Sequence, residues 1–228
     1  MFQSWQDLTF LHWPVPHDTL RVLVPPELEL ETFDGEAWLG LTPFRVEGLR
    51  PRWLPPAPVS SRFLEANLRT YVRHRGRSGV FFFSLETTSL LAVAAARAFY
   101  RLPYRLAFMS MSCRNGWYRY RSWRLGDRRA QLSLRCRATG EATPASPGSL
   151  EAFLVERYAL YSVVGGRVMR GDIHHAPWPL QAAEVDITYN GLPAAHGIAL
   201  NGAAPLAHFA ARQDTLIWSL TRDSLIVR

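Results

Sequence analysis

The chain has 228 residues, of which 48% are hydrophobic and 20% charged, and its 26 basic residues outnumber 19 acidic ones to give a formal net charge of +7. The sequence contains no lysine, so all of those basic residues are arginines. This excludes chemistry that needs a lysine amine, such as a Schiff base with a carbonyl substrate, a pyridoxal phosphate aldimine or a phosphate-loop lysine. The composition is typical of a globular protein and argues against disorder.

Length and targeting signals give the next expectations. This length fits one large β-rich or α+β domain or two small ones, and because no low-complexity linker is present we expect a single domain over residues 1–228. No apolar run reaches the roughly 18 residues of a membrane helix, and residues 1–13 lack the basic start of a signal peptide. We therefore expect a cytoplasmic protein with no membrane partner. Cys113 and Cys136 lack the spacing of a zinc or redox motif.

The first quarter of the chain predicts a strand, a helix and a hairpin. Residues 8–13 are an apolar, β-prone run, and residues 18–23 resemble a short helix that ends before two prolines. Two strands over 28–33 and 37–46 then flank Asp34-Gly35. This dipeptide is preferred in a type I′ hairpin turn because both central residues take positive φ. Residues 51–58, which are rich in proline, are predicted to form a short loop.

Residues 63–72 alternate strictly between two faces, which predicts a strand. Glu65, Asn67 and Arg69 share one face with Phe63 and Tyr71, whereas the opposite face is apolar apart from one threonine. If the polar face points into a cavity, its carboxylate, amide and guanidinium form a set suited to binding an anion or a carbonyl. If it points to solvent, it is an ordinary polar surface, and the strand alone favours this second arrangement.

The remaining sequence predicts many strands and few helices. A capped, alanine-rich helix is predicted over 89–100, starting at Thr88 or Ser89, and a second capped helix over 149–157. There is no β-α-β alternation and no glycine-rich phosphate loop, which argues against a nucleotide-binding fold. We therefore predict an α+β protein whose antiparallel sheet closes into a β-barrel with two or three flanking helices. The further predicted strands are 80–86, 104–111, 117–125, 130–138, 158–164, 167–174, 184–188 and two more around His208 and Trp218.

Residues 97–107 (RAFYRLPYRLA) resemble a segment of the acetoacetate decarboxylase superfamily. Members of that superfamily carry an arginine-rich helix end and then an aromatic-Pro-Lys-Lys-Leu run, whose first lysine forms the Schiff base. Tyr104 stands at the position of that lysine and Arg105 at that of its neighbour. Phe63-Leu64-Glu65 is similar to the strand that supplies an active-site carboxylate in the superfamily. The resemblance implies a cone-like antiparallel barrel with a central cavity, lined by Glu65, Tyr104 and Arg105.

A closer resemblance, to the YqjF-like family of uncharacterised bacterial proteins, rests on four segments that together extend over most of the chain. That family looks like a distant branch of the same fold, and the resemblance implies no known activity. The segments are residues 33–38 (FDGEAW), 63–72 (FLEANLRTYV), 148–158 (GSLEAFLVERY) and 175–180 (HAPWPL).

The missing lysine separates this chain from the decarboxylases, because a phenol cannot form the iminium that those enzymes use. Tyr104 could instead donate a hydrogen bond to a carbonyl or act as a general acid, with Arg105 holding a carboxylate, or it could merely fill the space of the lysine. We predict a small-molecule ligand with a carbonyl or carboxylate. If the protein is an enzyme, we expect lyase- or hydratase-like acid–base chemistry in which Glu65 and Tyr104 are catalytic. The predicted ligand-binding residues are Asn67, Arg69, Arg105, His12 and Tyr71.

Two alternatives remain beside the enzyme. The same cavity could bind a ligand without turnover, or residues 117–129 (WYRYRSWRLGDRR) could bind single-stranded nucleic acid through interleaved arginines and aromatic rings. Nucleic-acid binding is the least favoured, because no recognition motif is present and the acidic residues among the first 44 would compete for the same arginines. Self-association is left open.

No metal site and no cofactor are predicted. His174 and His175 are adjacent in a strand, so their rings point to opposite faces and cannot bind one metal ion together. The sequence has no G-x-S-x-G motif, and neither cysteine lies at a predicted helix start, which argues against a nucleophilic hydrolase.

Overall fold

The computed structural model describes residues 1–50, 61–95 and 101–223. The predicted loop over 51–58 and the last part of the helix predicted over 89–100 lie outside the described residues. The elements in chain order are β1 (Phe2–Val15), α1 (His17–Arg21), β2 (Glu29–Leu30), β3 (Thr32–Phe33), β4 (Glu36–Arg50), β5 (Phe63–His74), β6 (Arg77–Thr87), α2 (Leu90–Ala95), β7 (Tyr104–Arg114), β8 (Trp117–Arg124), β9 (Asp127–Ala138), α3 (Leu150–Val155), β10 (Ala159–Val164), β11 (Arg167–His175), β12 (Gln181–Asn190), a 3₁₀ turn (Ala194–His196), β13 (Leu206–Ile217) and β14 (Thr221–Arg222).

The strands form one mixed, mostly antiparallel sheet, and the hydrogen-bonded strand pairs form two closed rings. The larger ring runs through β5, β6, β7, β8, β9, β12, β13, β1 and β4. The smaller ring shares β13, β1, β4, β5 and β6 with the larger one and is closed by β10 and β11. The predicted α+β class with a dominant antiparallel sheet is confirmed. No helix in the described part of the chain is long and apolar enough to cross a membrane.

Strand β5, which belongs to both rings, is buried on both faces over most of its length. On β5, Leu68 and Val72 pack into one hydrophobic core, whereas Phe63 and Tyr71 pack into a second core. Successive side chains of a strand point to opposite faces, so the residues between them divide in the same way. The polar face of β5 therefore lies inside the smaller ring, which corrects the solvent-facing arrangement that the isolated strand favoured.

The first hairpin forms as predicted, but its first strand is divided. Asp34 and Gly35 have φ values of +51° and +85°, as the predicted type I′ turn requires. The segment predicted as one strand over 28–33 consists of β2, which pairs with β5, and β3, which pairs with β4. Between them, the buried carboxylate of Glu31 forms ion pairs with Arg73 and Arg157, so the chain changes partner strand at this residue.

The prediction of two separate late strands around His208 and Trp218 is wrong. Residues 206–217 form the single strand β13, because they pair with β1 almost continuously from Leu206 opposite His12 to Leu216 opposite Phe2. Trp218 follows the end of that strand and is partly exposed.

Candidate functional site

A cavity of about 140 Å³ lies inside the smaller ring. This is room for roughly five water molecules, at the liquid volume of about 30 Å³ for each. Its walls are mainly aromatic and aliphatic side chains from β1, β4, β5, β6, β10 and β11. The ionisable and amide side chains that line it are Gln3, Glu65, Asn67, Arg69, Tyr104, Arg157 and His175.

Glu65 and Tyr104 form a hydrogen-bonded pair at the cavity wall. The Tyr104 hydroxyl donates to Glu65 Oε2 at 3.1 Å. β6 brings the two residues together, because it pairs with β5 opposite Glu65 and, in parallel, with the start of β7 opposite Tyr104. Burial raises the pKa of the Glu65 carboxyl to about 7, although hydrogen bonds from Tyr104 and Asn67 act to lower it. A carboxyl with this pKa can both release and accept a proton near neutral pH.

Arg69 is a cavity guanidinium without an acidic partner among the described residues. Its guanidinium donates to the backbone oxygen of Leu154 at 3.3 Å and forms no ion pair with any of the residues that the structure describes. Arg157, the other cavity guanidinium, is paired with the buried carboxylate of Glu31. A guanidinium without a carboxylate partner is suited to binding an anion through charge-assisted hydrogen bonds, so Arg69 is the residue placed to do this.

His12 and Tyr71 are buried behind Arg69 and do not line the cavity. Burial lowers the pKa of His12 well below its usual value, and the charge of Arg69 lowers it further, so the ring is neutral. All three side chains crowd onto Gly40, where a Cβ atom would lie 3.0 Å from the Tyr71 hydroxyl and 3.3 Å from both Arg69 Cγ and His12 Cδ2. These two predicted ligand-binding residues therefore pack beside Arg69 and do not contribute to the cavity surface.

Arg105 lies outside the cavity and is exposed. Neighbouring residues of a strand point to opposite faces, and because Tyr104 faces the cavity, Arg105 faces away from it. Its charge acts instead on His196, whose pKa is lowered chiefly by burial. The cation that the resemblance placed beside Tyr104 therefore points away from the cavity.

The cavity residues that were not among the predicted site residues include Arg157, His175 and Trp178. His175 donates from Nδ1 to the backbone oxygen of Ala176 at 2.8 Å, and burial lowers its pKa. His174 is exposed, so the two rings do point to opposite faces, as predicted. These three residues lie in the segments 148–158 and 175–180, whose resemblance to a known family was the signal that could have identified them. Within the described ranges, no three His, Cys, Asp or Glu side chains converge as a metal site.

The arginine- and aromatic-rich strand β8 lies in the larger ring, away from the cavity. Arg119, Arg121 and Trp123 are exposed, and Trp123 stacks on Phe108 of β7 with ring centroids 5.5 Å apart. In the described part of the chain, no acidic residue of the first 44 pairs with these arginines, so the expected competition is not seen there. Nucleic-acid binding by this face stays a prediction.

Comparison with known proteins gives the family. Residues 2–214 match the model of the DUF2071 family, described as an uncharacterized conserved protein. The chain is also 43% identical over 224 residues to the uncharacterized protein YqjF of Bacillus subtilis (strain 168), covering 98% of this chain and 93% of the relative. The chain therefore belongs to the DUF2071 family, and the resemblance to YqjF-like proteins is confirmed.

Solved structures with the same fold are distant in sequence. The acetoacetate decarboxylase of Legionella pneumophila has a TM-score of 0.63 at 13% identity, covering 97% of this chain and 88% of its own. The enduracididine biosynthesis enzyme MppR in complex with pyruvate has a TM-score of 0.66 at 11% identity, covering 98% and 90%. An acetoacetate decarboxylase-like enzyme from Sphingomonas wittichii RW1 has a TM-score of 0.66 at 16% identity, covering 98% and 92%. The fold is therefore acetoacetate decarboxylase-like, as the sequence resemblance implied.

Proposed function

We propose that the cavity binds a small carboxylate that carries a carbonyl group, and that Glu65 transfers a proton between this ligand and solvent without a Schiff base. The observation that carries the proposal is the partly buried hydrogen bond of 3.1 Å between Tyr104 and Glu65 at the cavity wall. It joins a carboxyl that titrates near neutral pH to a phenol that can donate to an oxygen. An enzyme of the same fold, MppR, has been solved in complex with pyruvate, which supports this class of ligand.

The proton transfer follows from the position of each group. The ionised Glu65 carboxylate removes a proton from the carbon beside the ligand carbonyl, and the C–H electron pair moves into an enolate. The Tyr104 hydroxyl turns from Glu65 to the carbonyl oxygen and stabilises the negative charge that develops there. Arg69 holds the carboxylate of the ligand. The protonated Glu65 releases this proton to solvent, takes up a solvent proton and delivers it to the same carbon, so the cycle leaves the ligand unchanged except that this hydrogen now comes from solvent.

Hydrogen exchange tests the proposal without knowledge of the natural substrate. A panel of oxo acids of increasing chain length, starting with pyruvate, is incubated with the protein in D₂O, and loss of the hydrogens beside the carbonyl is followed by NMR. We expect Glu65→Gln to slow this exchange by about 10²–10⁴-fold, the usual contribution of a general base. The matched control is Glu184→Gln, which removes an exposed carboxylate of β12 that is paired with Arg137.

Two results would contradict this function. Exchange that is equally fast in wild type and Glu65→Gln would show that Glu65 does not transfer the proton. Binding of the panel by wild type with no protein-dependent exchange would favour the alternative of a ligand-binding module without turnover.

A further inference from the structure

Glu65, Asn67 and Arg69 form a polar strip on one face of β5, and the two charged residues at its ends are far apart. Glu65 and Arg69 lie four residues apart on the same face of one strand, which places their Cα atoms about 13 Å from each other. Asn67 occupies the position between them, and all three side chains line the cavity. The proton-transferring group and the anion-binding group are therefore separated along the length of the strand.

The surroundings of each side chain confirm this separation. Glu65 is hydrogen-bonded by Tyr104 and Asn67, and the charge of Arg69 is not among the causes that shift its pKa. The guanidinium carbon of Arg69 lies 5.9 Å from the ring centroid of Tyr71, which is two residues farther along β5 from Glu65. The guanidinium thus does not fold back toward the carboxylate.

We infer that the ligand carries its carboxylate several bonds away from the carbonyl on which Glu65 acts. This rests on the proposed function and specifies its substrate class. Side chains of a strand stand roughly perpendicular to the sheet, so the two polar groups keep about the 13 Å spacing of their Cα atoms. A contact of about 3 Å at each end then leaves roughly 7 Å for the ligand, or about five or six bonds. The ligand class is therefore a medium-chain oxo acid, and pyruvate, whose two groups are adjacent, can reach only one end of the strip.

The middle of the cavity is suited to the chain of such a ligand. Aromatic and aliphatic side chains, among them Phe10, Phe44 and Phe82, form most of its walls. Each methylene buried against such walls strengthens binding about fourfold, until the carboxylate reaches Arg69.

A chain-length series tests the inference. Calorimetry measures the affinity of pyruvate, 4-oxopentanoate, 5-oxohexanoate, 6-oxoheptanoate and 7-oxooctanoate for the wild-type protein. We expect affinity to rise about fourfold with each methylene and to be highest for one of the two longest acids. The methyl ester of the best acid is expected to bind at least tenfold more weakly, because it has no charge for Arg69.

Variants then assign the ends of the ligand. Arg69→Met is expected to weaken binding of the longest acids at least tenfold while leaving pyruvate almost unaffected. The matched control Arg105→Met removes an exposed arginine outside the cavity and is expected to change neither. If Arg69→Met does not fold, the length profile and the ester measured on wild type still decide the question.

The outcomes separate the two proposals. If pyruvate or 4-oxopentanoate binds most tightly and exchanges in a Glu65-dependent way, the inferred spacing is wrong while the proposed function stands. If no acid of any length binds or exchanges, the proposed function itself fails. Equal affinity of the best acid and its methyl ester would also overturn the role of Arg69.

Discussion

Replacing Glu65 by glutamine is expected to change how the stability of the protein depends on pH. In the folded protein burial raises the pKa of this carboxyl from 4.5 to about 7. Between these values the folded state holds a proton that the unfolded state has lost, so the free energy of unfolding falls as pH rises. Glutamine has nearly the same shape and does not titrate, so the variant lacks this contribution.

The size of the effect follows from the two pKa values. At 1.36 kcal/mol for each pH unit, the interval from 4.5 to about 7 corresponds to about 3 kcal/mol, most of which falls between pH 5 and pH 8. The wild type is expected to lose most of this amount of stability relative to Glu65→Gln over that range. The buried His12 and His175 titrate with lowered pKa values and oppose the trend, but they are present in both proteins and cancel in the difference.

Urea denaturation of both proteins at several pH values between 5 and 8 measures the difference directly. Glu184→Gln is the control, because its carboxylate is exposed, and its difference from wild type is expected to stay nearly constant with pH. A difference between wild type and Glu65→Gln that is constant, or that grows in favour of wild type as pH rises, would refute the reasoning. Such a result would mean that the carboxyl is ionised in the folded protein at pH 5, as an exposed one is.

Two further substitutions probe the groups around this carboxyl and around the anion-binding end. Tyr104→Phe removes a hydrogen bond to Glu65, and such a bond is worth about 1.5–3 kcal/mol when the acceptor is charged. The pKa of Glu65 is therefore expected to rise by about one to two units, which a carbon-13 NMR titration measures. Gly40→Ala places a methyl group 3.0–3.3 Å from three buried side-chain atoms, and is expected to cost about 1–3 kcal/mol in urea denaturation and to weaken the binding of acids by displacing Arg69.

Each of these has its own contradicting outcome. A pKa of Glu65 that is unchanged or lower in Tyr104→Phe would show that the hydrogen bond does not favour the ionised form. For Gly40→Ala, the matched control is Gly140→Ala, where the nearest atom would be 4.0 Å away and no loss is expected. Equal stability of the two alanine variants would mean that the side chains behind Arg69 are not tightly packed.

Much of the sheet could be predicted from the sequence because its signals are local. The alternation over residues 63–72 and the Asp34-Gly35 turn depend only on neighbouring residues, and both are present in the structure. The burial of both faces of β5 could not be predicted in this way, because it depends on two rings that share the strand. A face with a carboxylate and a guanidinium is ordinarily a solvent-facing one, and only the closing strands β10 and β11 enclose it.

The candidate site shows the same limit. Glu65 and Tyr104 were paired through a family resemblance and lie in contact, whereas Arg105 was carried over by the same resemblance and lies outside the cavity. Strand alternation alone would have separated Tyr104 from Arg105. Arg157 could not be placed, because the ion pair with Glu31 that holds it joins residues 126 positions apart in the chain.

The tyrosine at position 104 bears on both proposals through the geometry of one strand. Only one of residues 104 and 105 can face the cavity, so a tyrosine that faces it turns Arg105 away from the carbonyl that it would polarise. Within the described ranges, the cavity guanidinium without an acidic partner is that of Arg69, about 13 Å along β5 from Glu65. A lysine at 104 would have placed a cation next to Glu65 and suited a ligand whose two polar groups are adjacent. On the two proposals, tyrosine at this position therefore excludes a Schiff base there and suits a longer ligand that extends from Glu65 to Arg69.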